Sequence, residues 1–71
     1  MSSITSLDNF KYNLDNVVYS DNSKIIVVLN GSTYYLDEKK TLLYNDYNTI
    51  EITEEIKDYI IDIWECLKDL A

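Results

Sequence analysis

The chain has 71 residues, and its 13 acidic side chains outnumber its 6 basic ones to give a formal net charge of −7. A chain of this length is predicted to form a single domain over residues 1–71 and has no room for a deep cleft. Direct binding to DNA, RNA or an anionic membrane is excluded, because each needs many cationic side chains to neutralise phosphates. A basic protein is the partner that this negative field would attract.

The composition also argues against an enzyme. The chain has no His to act as a base near neutral pH and no Arg to clamp a phosphate or a carboxylate. Its one glycine, Gly31, belongs to a turn, so no glycine-rich phosphate loop is present. The polar segments 21–23 and 45–48 lack the ligand spacing of a calcium loop. We therefore predict a non-enzymatic protein with no cofactor and no metal site.

The cellular location of the protein is predicted from signals that the sequence lacks. The first ten residues contain no cationic segment followed by an apolar run, and no stretch of the chain reaches the length of a membrane span. The only cysteine, Cys66, cannot form an internal disulfide, which suits a reducing compartment. We expect a cytoplasmic protein in which Cys66 is a small packed side chain at the edge of the apolar side of a C-terminal helix, with pairing between two chains as the alternative.

The N-terminal third is predicted to be irregular and then extended. Residues 2–8 are polar and are expected to form a short turn or a frayed start. From Phe10 onward apolar residues alternate with polar ones, which predicts a strand. The alternation slips at Asp15-Asn16, which indicates a bulge or a turn before a second short strand around Val17. Residues 20–23 are predicted to form a turn.

A β-hairpin is the strongest local prediction. Asn30-Gly31 between two β-rich runs is typical of a two-residue type I′ turn, which places Leu29 opposite Ser32. On this register Lys24 opposes Asp37 at the open end. The face expected to receive a helix carries Ile25, Val27, Leu29, Tyr34 and Leu36. The other face carries Ile26, Val28, Thr33 and Tyr35, and we expect the N-terminal segment or another molecule to cover it.

The C-terminal half completes the predicted fold. Turns at 37–40 and 45–48 separate strands at 41–44 and 49–52, and a single helix follows over Thr53–Ala71 with Thr53 as its N-cap. The fold class is therefore α+β: an antiparallel β-meander of four to five strands with one C-terminal amphipathic helix packed on one face.

The two sides of this helix differ sharply on a helical projection. The apolar stripe expected to face the core consists of Ile56, Ile60, Ile63, Leu67 and Leu70. The opposite side, called here the acidic face, spans an arc of about 100° and carries six carboxylates and no Lys. Its members are Glu54, Glu55, Asp58, Asp62, Glu65 and Asp69. Three like-charge pairs at i,i+4 spacing lie on it, and each costs roughly 0.2–0.5 kcal/mol.

A partner-binding surface is predicted around this face. Its acidic members are Glu54, Asp58, Asp62, Glu65 and Asp69. Ile61 is expected to project between Lys57 and Lys68 beside these carboxylates and to supply an apolar anchor. Tyr35 and Tyr47 are expected to be exposed and to add cation–π contacts with a basic partner. The alternative is that the acidic face is only solvated and Ile61 is an ordinary surface residue.

In size, acidity, absence of catalytic residues and a composition typical of AT-rich genomes, the chain resembles phage-encoded inhibitors of host defence, the anti-CRISPR and anti-restriction proteins. The resemblance covers the whole chain as a profile and includes no signature motif. It implies a target such as a CRISPR effector nuclease in the host cytoplasm. It transfers no functional residue, because these inhibitors share no common fold.

Three functional hypotheses follow. The first is an inhibitor whose acidic face occupies the nucleic-acid-binding groove of a basic protein. The second is a self- or partner-associating module, such as a homodimer, that uses the second sheet face and keeps its acidic face for solubility. The third is an antitoxin-like protein that neutralises a basic toxin. The first requires Asp58, Asp62 and Glu65, whereas the second tolerates their neutralisation and should fail with Tyr35→Asp.

Overall fold

A computed structural model describes residues 2–19 and 24–70. Its elements, in chain order, are β1 (Ser2–Ser3), α1 (Leu7–Asn13), β2 (Leu14–Val18), β3 (Ile26–Leu29), β4 (Ser32–Asp37), β5 (Leu42–Tyr44), β6 (Thr49–Glu51) and α2 (Glu54–Leu70). The strands form one sheet in the order β1-β6-β5-β4-β3-β2. Strands β2 to β6 are an antiparallel meander. The predicted α+β class and the C-terminal helix are confirmed.

The hairpin β3–β4 forms as predicted. Asn30 and Gly31 have φ of 50° and 81°, which are the positive values a type I′ turn needs. The register pairs Leu29 with Ser32 and continues along both strands. At the open end Asp37 accepts hydrogen bonds from backbone amides of its own turn, while Lys24 lies over a tyrosine ring of β4. The expected Lys24–Asp37 pairing is replaced by these two contacts.

Gly31 is expected to be sensitive to substitution because of its backbone conformation alone. No atom lies within 4 Å of a Cβ built at Gly31, so an added methyl group meets no steric obstacle. Its φ of +81° is nevertheless unfavourable for an L-residue. We expect Gly31→Ala to lower the free energy of unfolding by about 1–2 kcal/mol, measured by urea denaturation. Ser32→Ala, one residue further along and exposed, is the control and should change stability by less than about 0.5 kcal/mol.

The strand predicted from Phe10 is wrong, because residues Leu7–Asn13 form a helix. Ser6 is its N-cap, and its hydroxyl accepts a hydrogen bond from the Asn9 amide at 3.3 Å. Period-two alternation cannot be told from a short helical face when only three apolar residues carry it. In the helix Phe10 is fully buried while Tyr12 is 88% exposed. The capping signal of Ser6 was therefore the more informative pattern.

Two further features of the N-terminal region are settled by the structure. The short turn or frayed start predicted for residues 2–8 is wrong, since Ser2–Ser3 pairs in parallel with β6 and the Ile4 amide donates to the Glu51 carbonyl at 2.8 Å. The predicted irregularity at Asp15-Asn16 is confirmed, because the β2–β3 register shifts between Leu14 and Asn16. The predicted turn at 20–23 lies outside the described residues.

The hydrophobic core lies between the sheet and the two helices. Its buried members are Phe10, Val17, Ile25, Val27, Leu29, Tyr34, Leu43, Ile50, Ile52, Ile56 and Ile60. The hairpin side chains predicted to face the helix are all in this core or packed against it. Within residues 2–19 and 24–70, neither helix has the length and apolar character needed to cross a membrane.

Candidate protein-binding surfaces

Helix α2 begins as its sequence predicts. The Thr53 hydroxyl accepts a hydrogen bond from the Ile56 amide at 3.2 Å, and the Thr53 carbonyl accepts one from the Lys57 amide at 2.9 Å. Glu54 and Glu55 occupy the first turn, where the helix dipole favours negative charge. Thr53 is therefore the N-cap of α2, and the acidic face extends along the helix from Glu54 to Asp69.

All six carboxylates of the acidic face are exposed. At 1.5 Å per residue, the face extends over about 22 Å from Glu54 to Asp69. The carboxylates therefore follow one another about every 4.5 Å along the helix axis on average, compared with about one phosphate per 3.4 Å along a single DNA strand. The structure therefore brings the acidic residues predicted for the partner surface onto one side of the molecule, where they form a line of negative charge.

One lysine reaches the N-terminal end of the acidic face. Lys57 Nζ lies 2.5 Å from the Glu54 carboxylate, although the Lys57 side chain is only 18% exposed. Hydrogen bonding and Coulomb attraction from Lys57 lower the pKa of Glu54, and the hydrogen bond to Glu54 raises the pKa of Lys57. Glu54 is thus partly neutralised, which the expectation of an uncompensated face did not include.

The other lysines near α2 lie over aromatic rings. Lys68 Nζ is 5.4 Å from the centre of the Trp64 ring, and Lys11 Nζ is 5.0 Å from the centre of the Tyr59 ring. Both contacts hold the cation by attraction to the ring face. In the part of the chain that the structure describes, Asp58, Asp62, Glu65 and Asp69 form no ion pair with a lysine.

The apolar side of α2 faces the core as predicted at Ile56, Ile60, Ile63 and Leu67, but not in the last turn of the helix. Ile56 and Ile60 are fully buried, but Leu70 is 84% exposed and Cys66 is exposed. The predictions of Leu70 in the core stripe and of Cys66 as a packed side chain are therefore wrong. Among the described residues of α2, only Ile56 and Ile60 are buried. The last turn extends past the core, which leaves its apolar side chains exposed to solvent.

Ile61, in contrast, is more buried than the sequence predicts. It is half-buried and packs against the core, instead of projecting freely between the two lysines. Lys57 on the same flank of α2 is also only 18% exposed, so this flank is more covered than the helical projection predicts. The predicted position of Ile61 is corrected accordingly, and its role as an interface anchor stays a prediction.

Tyr35 and Tyr47 lie on a different surface. With Ser32, Thr33, Asn45 and Asp46 they line an open groove of about 380 Å³, called here the tyrosine groove. Tyr47 is 89% exposed, and Tyr35 is half-buried against Tyr44 with ring centres 5.8 Å apart. The sheet lies between this groove and α2, so the predicted partner residues form two separate surfaces that face in opposite directions.

The second sheet face, which carries this groove, is not covered by the N-terminal segment. Phe10 of α1 packs edge-to-face on Tyr59 of α2, with ring centres 6.3 Å apart and an interplanar angle of 86°. Helix α1 therefore lies on the core side of the sheet. The strand register aligns Val18, Ile26, Tyr35 and Tyr44 in a row across the open face.

Sequence reasoning missed the groove itself. Tyr35 and Tyr47 lie 12 positions apart in the chain, and nothing in the chain order indicates that the 45–48 turn folds back beside β4. Asn45 carried the usable signal, because an Asn at the start of a turn often accepts hydrogen bonds from amides two and three residues ahead. The side-chain bond from Asn45 to β4, which closes the groove, has no sequence signature.

Comparison with known proteins returns no matching family model, no matching curated protein and no matching solved structure. Within the described ranges, no cluster of three or more His, Cys, Asp or Glu side chains is arranged to hold a metal ion. A functional assignment therefore depends on the two surfaces described above.

Proposed function

We propose that this protein is a non-enzymatic inhibitor that binds a basic nucleic-acid-binding protein, such as a CRISPR effector nuclease of the host cytoplasm, through its acidic face. The observation that carries the proposal is the line of six exposed carboxylates along about 22 Å of α2. A groove built to hold a phosphate backbone presents Lys and Arg side chains at comparable spacing. Such a groove would attract the acidic face in place of nucleic acid.

The energetic cost of the acidic face supports a function beyond solubility. Asp58 has a like charge four residues away on each side, and Glu65 has Asp69 four residues ahead. Lys57 offsets part of the repulsion from Glu54, so the three pairs together destabilise α2 by at most roughly 1 kcal/mol. Solubility requires net charge but does not require that charge to lie along one line. The cationic side chains of a partner would remove the repulsion between the carboxylates. The free energy that this repulsion costs the free protein would therefore be recovered on binding.

The test is affinity capture of partners from a low-GC bacterial host at low and at raised salt. The variant carries Asp58→Asn, Asp62→Asn and Glu65→Gln. We expect the wild-type protein to retain a nucleic-acid-binding protein at low salt, with loss at raised salt and with loss in the variant. Added nucleic acid should compete with the wild-type protein for that partner.

A matched control separates the position of the charges from their number. Asp8→Asn, Glu38→Gln and Glu51→Gln remove the same three charges from exposed positions outside α2, and capture should persist. Equal capture by the two triple variants would overturn the proposal. Capture of a basic protein with no affinity for nucleic acid would favour the antitoxin-like function. Recovery of further copies of the chain alone would favour self-association through the row of Ile26 and Tyr35 on the open sheet face.

A further inference from the structure

We propose that the tyrosine groove is a second binding site, which takes an arginine side chain from a protein partner. The groove lies between the end of the β3–β4 hairpin and the β5–β6 turn. Its volume of about 380 Å³ suits one long side chain and its flanking backbone. The site uses none of the residues of the acidic face, so it stands or fails independently of the inhibitor proposal.

Asn45 holds the groove in shape. Its Oδ1 accepts hydrogen bonds from the amides of Tyr47 and Asn48 at 2.8 and 2.7 Å, which fixes the β5–β6 turn. Its Nδ2 donates to the Thr33 carbonyl at 3.1 Å and ties that turn to β4. One side chain therefore sets the distance between the two walls, and a ligand would enter a groove that is already formed.

The lining matches the chemistry of a guanidinium group. Asp46 supplies a carboxylate for an ionic hydrogen bond, and the exposed ring of Tyr47 supplies a face for stacking. The hydroxyls of Ser32 and Thr33 on the opposite wall can accept further hydrogen bonds. A planar guanidinium can stack and donate in several directions at once, whereas an ammonium group cannot stack.

A contact within the chain shows that aromatic rings on this face accept a cation. Lys24 Nζ lies 5.3 Å from the centre of the Tyr35 ring. Among the described residues, the groove lining contains one carboxylate, Asp46, and no Lys, and Lys24 lies against one of the lining rings from outside the groove. Its charge and its aromatic character therefore both favour a positively charged guest, and an acidic or purely apolar segment fits it less well.

The position of the groove limits which part of a partner can supply the arginine. The acidic face and the tyrosine groove lie on opposite sides of the molecule and face in opposite directions. One flat partner surface therefore cannot contact both sites. The arginine must come from a loop or tail that reaches around the domain, or from a second protein. Both sites can then be filled at the same time.

The experiment is an NMR titration of the ¹⁵N-labelled protein with three blocked tripeptides, Gly-Arg-Gly, Gly-Lys-Gly and Gly-Gln-Gly. We expect the arginine peptide to shift the amide signals of Ser32, Thr33, Asp46 and Tyr47 with a dissociation constant of about 1–10 mM. The lysine peptide should bind at least about threefold more weakly, and the glutamine peptide should leave these signals in place.

Two variants and two matched controls complete the test. Tyr47→Ala should weaken binding about three- to fivefold, whereas Tyr12→Ala, which removes a ring exposed to the same degree from α1, should not. Asp46→Asn should weaken binding about threefold, and Asp8→Asn should not. Binding of equal strength by the arginine and lysine peptides, or shifts unchanged by Tyr47→Ala, would overturn the assignment.

The triple variant Asp58→Asn, Asp62→Asn, Glu65→Gln distinguishes this proposal from the inhibitor proposal. The arginine peptide should shift the groove signals of that variant as it does those of the wild-type protein. Loss of the groove shifts in the variant would mean that the peptide senses only the overall negative field, which would overturn the groove as a site. The capture experiment with the same variant addresses the acidic face alone.

Discussion

Replacing Phe10 with alanine is expected to lower the free energy of unfolding by about 3–5 kcal/mol. The Phe10 side chain is fully buried and is one of the largest in the core. It also makes the edge-to-face contact with Tyr59 that joins α1 to α2. A domain of this size has a total stability of only about 4–11 kcal/mol, so the variant should be largely unfolded at moderate temperature.

Thermal and urea denaturation followed by circular dichroism would measure the effect. Tyr12→Ala is the control, because Tyr12 lies on the same helix and is 88% exposed. Its stability should stay within about 0.5 kcal/mol of the wild-type value. Phe10→Leu should fall between the two, since it keeps most of the buried volume. Wild-type stability in Phe10→Ala would show that α1 does not close the core.

The second large effect is expected from Asp58→Lys combined with Glu65→Lys, which should weaken binding to a basic partner about 100-fold. Each reversal removes one negative charge and adds one positive charge, so the net charge rises from −7 to −3. Each unit of exposed interfacial charge contributes roughly 0.5–1 kcal/mol, and four units therefore amount to about two decades of affinity. Binding measured by calorimetry against the captured partner would test this.

The same double variant should be more stable than the wild-type protein. All three like-charge pairs on the acidic face include position 58 or 65, so both substitutions together turn every one into an opposite-charge pair. The expected gain in the free energy of unfolding is about 1–3 kcal/mol at low salt, with a smaller gain at high salt. We expect the free energy of unfolding to rise while the affinity for the partner falls. A loss of binding caused by misfolding would instead lower both quantities.

Asp8→Lys with Glu51→Lys provides the matched control. Both residues are exposed and lie outside α2, and the net charge changes by the same amount. Affinity for the partner should fall less than about tenfold, through the loss of long-range attraction alone. An equal loss in the control and in the α2 variant would contradict a specific role for the acidic face.

Local patterns were sufficient to predict much of the fold. Asn30-Gly31 determines the hairpin register because only a few residues accept the positive φ of its turn. Thr53 and the charges that follow it determine where α2 begins. The acidic face was predictable because six carboxylates at helical spacing fall on one side of any regular helix.

Features that depend on distant contacts were not predictable. Helix α1 is short, and Phe10 is buried only because α2 and the sheet meet it there. The half-burial of Ile61 and the exposure of Cys66 depend on which parts of α2 the rest of the molecule covers. The tyrosine groove requires the side-chain bond from Asn45 to Thr33, which connects residues 12 positions apart. No local pattern specifies any of these contacts.

The bulge in β2 has a consequence for behaviour at high concentration. Strand β2 forms one edge of the sheet, and a straight edge strand can recruit a strand from another chain. The register shift between Leu14 and Asn16 interrupts this edge, and the Asp15 carboxylate turns back to accept a hydrogen bond from the Gly31 amide at 2.6 Å. Strand β2 is therefore a poor template for edge-to-edge aggregation, which protects this edge of the sheet against growth into fibrils.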